Sequence, residues 1–174
     1  LIEGSLQIIA KLKPSYQVLF LIPDPEIGWR QVPNYQYIWT GSDWFASEFS
    51  VKITTNSEGF RDKERSVNKP FGTRRIALLG DSFIEAIQVP FNLSSSQLLE
   101  SNLNSNDYMK AKEPKSIVKW EVLNFGISNY GVGQYYSTWR HRASKYKPDY
   151  VIALVAGLQI SRTERTSSSG AFPA

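Results

Sequence analysis

Three short strand-like runs, each followed by a glycine, stand out in the second half of this sequence. They occupy residues 74–79, 120–124 and 150–156, and the glycines that follow are Gly80, Gly126 and Gly157. Short runs of this kind, bounded by turn residues, are typical of buried strands. Two segments with helical spacing separate them. The order strand–helix–strand–helix–strand predicts an α/β fold with a parallel sheet that begins near residue 74.

The first connecting segment carries a helix start signal. Ser94 lies three residues before Gln97, the spacing of a capping box. The apolar positions expected to pack on the sheet follow at helical spacing: Leu98, Leu99 and Leu103. Residues 104–116 are polar and show no period, which predicts a surface loop.

The second connecting segment predicts a helix over residues 134–146. Its expected buried stripe consists of Tyr135, Tyr136 and Trp139. Before the sheet, residues 35–55 alternate loosely between aromatic or β-branched and polar side chains, which predicts a small antiparallel hairpin with its turn at residues 41–43. Its tryptophans allow two interpretations, packing of the hairpin on the main domain or a platform for carbohydrate.

The first strand run leads directly into candidate chemistry. After Gly80 the chain continues with Asp81, Ser82 and Phe83, so a hydroxyl side chain follows the strand by two residues. Ligands of open α/β sheets bind at the carboxyl ends of the strands, where a serine on such a turn would face them. Asp81 is expected to brace the turn through backbone N–H groups.

These motifs, in this order, resemble those of the SGNH (GDSL-type) hydrolases, a family of esterases and acyl-transferring enzymes. Residues 80–83 (Gly-Asp-Ser-Phe) resemble the first family block and residues 124–128 (Asn-Phe-Gly-Ile-Ser) the second. Residues 145–152 resemble the entry to the third strand. Residues 23–30 and 56–62 are similar to segments of a bacterial subgroup. The resemblance implies a three-layer, flavodoxin-like fold, here truncated at its carboxyl end near Gly157.

The resemblance also implies roles for individual residues. Ser82 would be the nucleophile, the backbone N–H groups of Ser82 and Gly126 would form an oxyanion hole, and Asp81 and Asn124 would support the site. No cofactor and no metal are implied. The substrate would be a small-molecule or polysaccharide acyl ester. Members of the subgroup often carry a membrane anchor upstream of such a segment, which suggests a location in the cell envelope.

Two departures from the family pattern bear on activity. The family places an asparagine directly after the third glycine, but Leu158 and Gln159 follow Gly157 here, and Gln159 would face the other side of a strand. The family's Asp-x-x-His block is absent, and the single histidine, His141, lies before the third strand, where we expect a solvated side chain. A serine hydroxyl needs a base to become a good nucleophile.

We therefore expect three segments: an extension with a hairpin (residues 1–73), a partial SGNH domain (74–160) and a disordered tail (161–174). The predicted function is that of an SGNH-type serine esterase that is inactive as written. The alternatives are a degenerate domain that binds a carbohydrate or acyl ligand without turnover, and a scaffold domain. An incomplete sheet with an exposed edge also predicts poor solubility.

Composition narrows the remaining classes. The chain has 174 residues, 41% of them hydrophobic, which is enough for one globular core. It has no cysteine, which excludes disulfides and thiolate metal sites. Twenty basic and 16 acidic residues are spread along the chain, so we predict no nucleic-acid partner. The glycines after the second strand do not fit the dinucleotide-binding spacing. No apolar run before residue 23 reaches the ~20 residues of a membrane span.

Overall fold

The computed structural model of the protein describes residues 20–40, 50–157 and 160. The strands are β1 (Leu21–Asp24), β2 (Gly28–Gln31), β3 (Gln36–Trp39), β4 (Val51–Thr54), β5 (Thr73–Gly80), β6 (Lys119–Gly126) and β7 (Tyr150–Ala153). The helices are α1 (Ser82–Glu85), α2 (Ser95–Ser105), α3 (Asp107–Lys112) and α4 (Val132–Thr138). A π-helical turn (Trp139–Ala143) and a 3-10 turn (Ser144–Tyr146) continue α4, and a second 3-10 turn (Phe91–Leu93) precedes α2.

The centre of the fold is a parallel sheet of three strands with the order β6-β5-β7. β5 and β6 pair over their whole length, and the last pair in register is Gly80 with Gly126. β7 pairs with the other side of β5. The predicted α/β fold with a parallel sheet is thus confirmed.

Helices and turns cover both faces of β5 and β6, whose side chains alternate between two hydrophobic clusters. On one face the strand residues pack with Ile84, Leu99 and Leu103, that is, with α1 and α2. On the other face they pack with Tyr135, Ala143 and Tyr146 from α4 and the turns after it, and also with Ile27 and Phe60. The long strands are therefore buried on both faces, as expected for a parallel sheet.

Two antiparallel hairpins precede the sheet, β1 with β2 and β3 with β4. In the second, Tyr37 lies opposite Ile53 and Trp39 opposite Val51. These four side chains pack with Ile87, which follows α1. The predicted hairpin is confirmed, and it packs on the main domain. Its predicted turn, residues 41–43, lies outside the described residues, as do residues 158–159 and the predicted disordered tail.

The parallel sheet starts close to residue 74, where the sequence predicted a boundary between two segments. The two segments share one hydrophobic core. Ile27 and Phe60, which precede residue 74, belong to the same hydrophobic cluster as Leu79 and Phe125 of the sheet. The Phe60 and Phe125 rings meet edge to face, with centroids 5.1 Å apart. The segment before the sheet is thus part of the packed domain.

The outer edge of β6 is covered by side chains, one of which, Asn104, was predicted to lie in a loop. Asn104 accepts from the N–H of Trp120 and donates to its carbonyl, at 2.9 Å each. Glu100 accepts from the N–H of Val122 at 2.9 Å. Polar residues predicted as the loop 104–116 therefore include the end of α2 and all of α3. Among these residues, Asn104 is polar because it binds the backbone of the strand edge.

Three details of the predicted helices are wrong. α2 starts after Ser94, but no capping box forms, because the Ser94 hydroxyl donates instead to the carbonyl of Phe91 at 2.7 Å. Leu98 and Tyr136, both predicted to be buried, are 45% and 63% exposed. Their neighbours Leu99 and Tyr135 do face the core. The helical spacing was therefore correct, but in each helix one residue beside the buried face was wrongly predicted to be buried.

Candidate active site

The candidate nucleophile, Ser82, is the first residue of α1, immediately beyond the carboxyl end of the central strand. The N–H of Ile84 and that of Glu85 both donate to the carbonyl of Asp81, at 3.1 and 3.0 Å, which closes this single helical turn. The Ser82 side chain is half-buried. Within the described residues its hydroxyl has no hydrogen-bond partner. Ser82 is thus held at the sheet edge where ligands of α/β proteins bind.

Two glycines allow α1 to sit directly against the ends of the strands. A Cβ atom at Gly80 would lie 2.2 Å from Cγ1 of Ile84, and one at Gly126 would lie 2.6 Å from the backbone nitrogen of Glu85. Neither distance is compatible with a real side chain. Glycine is therefore required at both strand ends for close packing of the turn that carries Ser82.

Asp81 and Asn124, the two residues predicted to support the site, are both buried and hydrogen-bonded. Oδ1 of Asp81 accepts from the N–H of Phe83 at 3.1 Å, which braces the turn. Nδ2 of Asn124 donates to the carbonyl of Ile84 at 2.8 Å, so this side chain ties β6 to α1. Oδ1 of Asn124 accepts from the N–H of Gly126 at 2.9 Å. This bond occupies the donor that the resemblance assigns to the oxyanion hole, and Asn124 would have to rotate before Gly126 could serve.

His141 lies in the π-helical turn after α4 and is engaged away from Ser82. Its Nδ1 lies 3.6 Å from a carboxylate oxygen of Glu26, in the turn between β1 and β2. The side chain is about one-third exposed, consistent with the predicted solvated residue. Its neighbour Arg142 bonds to Asp24 at 2.8 Å and to Glu26. These contacts assign this part of the helix to an ion-pair cluster that joins it to the first hairpin.

The sequence analysis missed the most buried polar group near Ser82, the carboxyl of Glu85. Glu85 is fully buried, and it accepts hydrogen bonds from the backbone N–H of Ser128 at 2.8 Å, from the Ser128 hydroxyl and from Nε2 of Gln31. Burial raises the pKa of this carboxyl, while the bonds from Ser128 and Gln31 oppose the rise. A glutamate between Ile84 and Ala86, in an otherwise apolar turn, was the signal that could have identified it.

Arg61 is the second buried group that the sequence did not reveal. Its guanidinium donates to the carbonyls of Glu85 at 3.1 Å, of Ala86 and of Val89 at 2.7 Å. The first two carbonyls lie where α1 ends, since Ala86 adopts a left-handed conformation with φ of 56°. Arg61 therefore ties the end of the short helix to the segment that follows it, in which the N–H of Val89 also donates to the carbonyl of Ala86 at 3.2 Å.

The described residues contain no cluster of three or more acidic or histidine side chains suited to hold a metal ion. Among them, no helix is both long and apolar enough to cross a membrane. The roles proposed for Ser82 and Gly126 depend on their positions at the ends of β5 and β6 and on the resemblance to the family motifs.

Comparison with protein-family models gives no match, and comparison with curated proteins gives none either. The resemblance to SGNH hydrolases therefore rests on the short motifs around Ser82 and Asn124 and on their placement at adjacent strand ends.

Proposed function

We propose that this domain is the nucleophile-bearing part of an SGNH-type serine ester hydrolase, with Ser82 as the nucleophile. The observation that carries this proposal is the position of Ser82. It starts a helical turn at the carboxyl end of the central parallel strand, level with the end of β6 at Gly126. Its hydroxyl is not engaged by other described side chains. A small-molecule or polysaccharide acyl ester is the proposed substrate class.

Within the described residues, no base is hydrogen-bonded to the Ser82 hydroxyl. A serine hydroxyl attacks an ester only when its proton is transferred to a base. The single histidine, His141, lies beside Glu26, with its Nδ1 3.6 Å from the carboxylate. We therefore expect the chain as written to hydrolyse esters no faster than its Ser82→Ala variant.

Addition of imidazole tests this proposal, because it can supply the missing base from solution. In the expected reaction, imidazole takes the Ser82 proton, Oγ bonds to the carbonyl carbon of p-nitrophenyl acetate, and the bond to p-nitrophenolate breaks. Water then hydrolyses the acetyl–serine ester. The measurement is p-nitrophenolate release with and without imidazole, for the natural sequence and for Ser82→Ala.

The matched control is Ser137→Ala, which removes another half-buried hydroxyl. We expect an imidazole-dependent rate in the natural sequence and in Ser137→Ala that exceeds the rate in Ser82→Ala. Mass spectrometry after treatment with a fluorophosphonate and imidazole should place the adduct on Ser82. Equal rates in all three proteins, with no adduct on Ser82, would refute the proposal.

A second candidate function is binding of a carbohydrate or acyl ligand without turnover. The bond from Gly126 to Asn124 favours it, because this bond occupies a donor that oxyanion stabilisation would need. Saturation-transfer NMR with an acetylated oligosaccharide tests this function. Binding that persists in Ser82→Ala, without imidazole-dependent hydrolysis in the natural sequence, would support it over the esterase. A domain that neither binds nor hydrolyses would be left with the scaffold role.

A further inference from the structure

Glu85 joins three segments of the chain that meet behind the candidate nucleophile. It lies three residues after Ser82, on the same helical turn. Oε2 of Glu85 accepts from Ser128, in the turn after β6, and Oε1 accepts from Gln31 at the end of β2. One carboxyl group thus links α1 to both neighbouring segments.

The turn that Glu85 holds is also anchored from β2. Nε1 of Trp29 donates to the carbonyl of Ser128 at 3.1 Å, and the hydroxyl of Tyr130 donates to the carbonyl of Trp29 at 2.5 Å. The Trp29 and Tyr130 rings meet edge to face at 5.5 Å. The Trp29 contacts fix one side of the turn. Glu85 is the group that ties the turn to the helix carrying Ser82.

We propose that Glu85 is a positioning residue for Ser82: its buried carboxyl holds the turn around Ser128 in register with the nucleophile. The inference rests on the proposed function, since it assigns to Glu85 an effect on the reactivity of Ser82. Glu85 does not touch the reacting atoms and acts through Ser128.

The charge state of Glu85 decides how well it performs this role. An ionised carboxylate accepts all three donors from Ser128 and Gln31, whereas a protonated carboxyl has less acceptor capacity. Other charged or titratable groups of the described residues act on it from three segments: Arg61 after β4, Tyr37 in β3 and Tyr130 in the turn after β6. The Arg61 charge favours the ionised form, and burial opposes it. Protonation should therefore loosen the Ser128 turn.

The experiment compares Glu85→Gln with the natural sequence. Glutamine keeps the volume of the side chain but is neutral, so its single oxygen can accept from Ser128 only through hydrogen bonds that lack the strength of bonds to a carboxylate. We expect the backbone amide of Ser128 to exchange with solvent about ten-fold faster or more. The imidazole-dependent rate at Ser82 should fall by a comparable factor. In the natural sequence, the amide resonance of Ser128 should also shift with pH, and this titration should be absent from Glu85→Gln.

The control is Glu100→Gln, which changes another buried carboxylate that binds a backbone N–H, that of Val122 in β6. It should leave the exchange and the pH titration of the Ser128 amide as they are in the natural sequence. If Glu85→Gln changes them no more than this control does, the positioning role is wrong.

Two further outcomes are separable. If Glu85→Gln fails to fold, Ser128→Ala takes its place, because it removes only the hydroxyl donor. It should lower the imidazole-dependent rate at Ser82, and an unchanged rate would overturn the inference. If the natural sequence shows no Ser82-dependent rate even with imidazole, the proposed function fails, whereas Ser128 amide exchange still decides whether Glu85 holds the turn.

Discussion

Replacement of Gly126 by alanine should destabilise the protein for a purely steric reason. The new Cβ would lie 2.6 Å from the backbone nitrogen of Glu85 and 2.7 Å from Cβ of Ile84. Neither atom can be moved by a change of side-chain rotamer. To make room, α1 must shift away from the strand ends, and this shift strains the contacts that Glu85 makes with the Ser128 turn.

The expected cost follows from comparison with two other glycines. Overpacking a well-packed site typically costs about 1–3 kcal/mol, and the backbone clash at Gly126 places it in the upper part of that range. Gly157→Ala should be neutral to within about 0.5 kcal/mol, because no atom of the described residues lies within 4 Å of the added Cβ. Gly28→Ala also has open space, but its φ of 89° should cost about 1–2 kcal/mol through backbone strain.

Urea unfolding, monitored by tryptophan fluorescence, measures these differences in the free energy of unfolding, since the chain contains five tryptophans. The order of stability should be natural sequence and Gly157→Ala, then Gly28→Ala, then Gly126→Ala, with similar m-values. A Gly126→Ala protein within about 0.5 kcal/mol of the natural sequence would show that α1 does not pack on the strand ends as described.

Two further predictions concern a buried acid and the sheet edge. Burial raises the pKa of Asp62 from 3.8 to about 6, so the unfolded chain loses this proton at a lower pH than the folded chain does. The free energy of unfolding therefore falls as the pH rises from about 4 to 6. Asp62→Asn should remove this fall, which amounts to about 2 kcal/mol between pH 4 and 7. Urea unfolding at these two pH values that gives both proteins the same pH dependence would contradict the prediction. Ile152→Lys on the exposed strand β7 should reduce self-association measured by light scattering, whereas Val118→Lys, at a residue 79% exposed outside the sheet, should not. Equal scattering by the two variants would count against self-association through β7.

The sheet was predictable from the sequence because its signal is local. The strands β5 and β6 are short runs that end at a glycine, and their apolar residues are buried on both faces. The third run was located correctly, but β7 ends at Ala153, before Gly157, and its residues are exposed. The hairpin formed by β3 and β4 was predictable for the same reason, since its alternation places Tyr37 and Ile53 opposite each other. Boundaries were less predictable: Asn104 was assigned to a loop, because its partner on β6, Trp120, lies 16 residues away in the sequence.

The candidate site was predictable only in its first layer. A serine two residues beyond a strand can be found by inspection, and so can a glycine at the next strand end. The buried groups that support them cannot, because each depends on a partner far along the chain. Gln31 and Glu85 are 54 residues apart, and Glu85 and Ser128 are 43 apart. A single sequence does not show which distant residues meet, so the sequence analysis assigned no role to Gln31 or Glu85.

The two edges of the sheet differ in a way that bears on how the domain behaves. At β6, side chains bind the outward backbone groups: Asn104 binds Trp120, Glu100 and Arg65 bind Val122, and Asp62 accepts from Asn124 at 3.2 Å. No other strand can pair there without displacing them. At β7, no described strand pairs with the outer edge, and all four residues are exposed although each is apolar. Open, apolar edges favour pairing with further strands. Association of this domain through its sheet should therefore occur at β7 and not at β6.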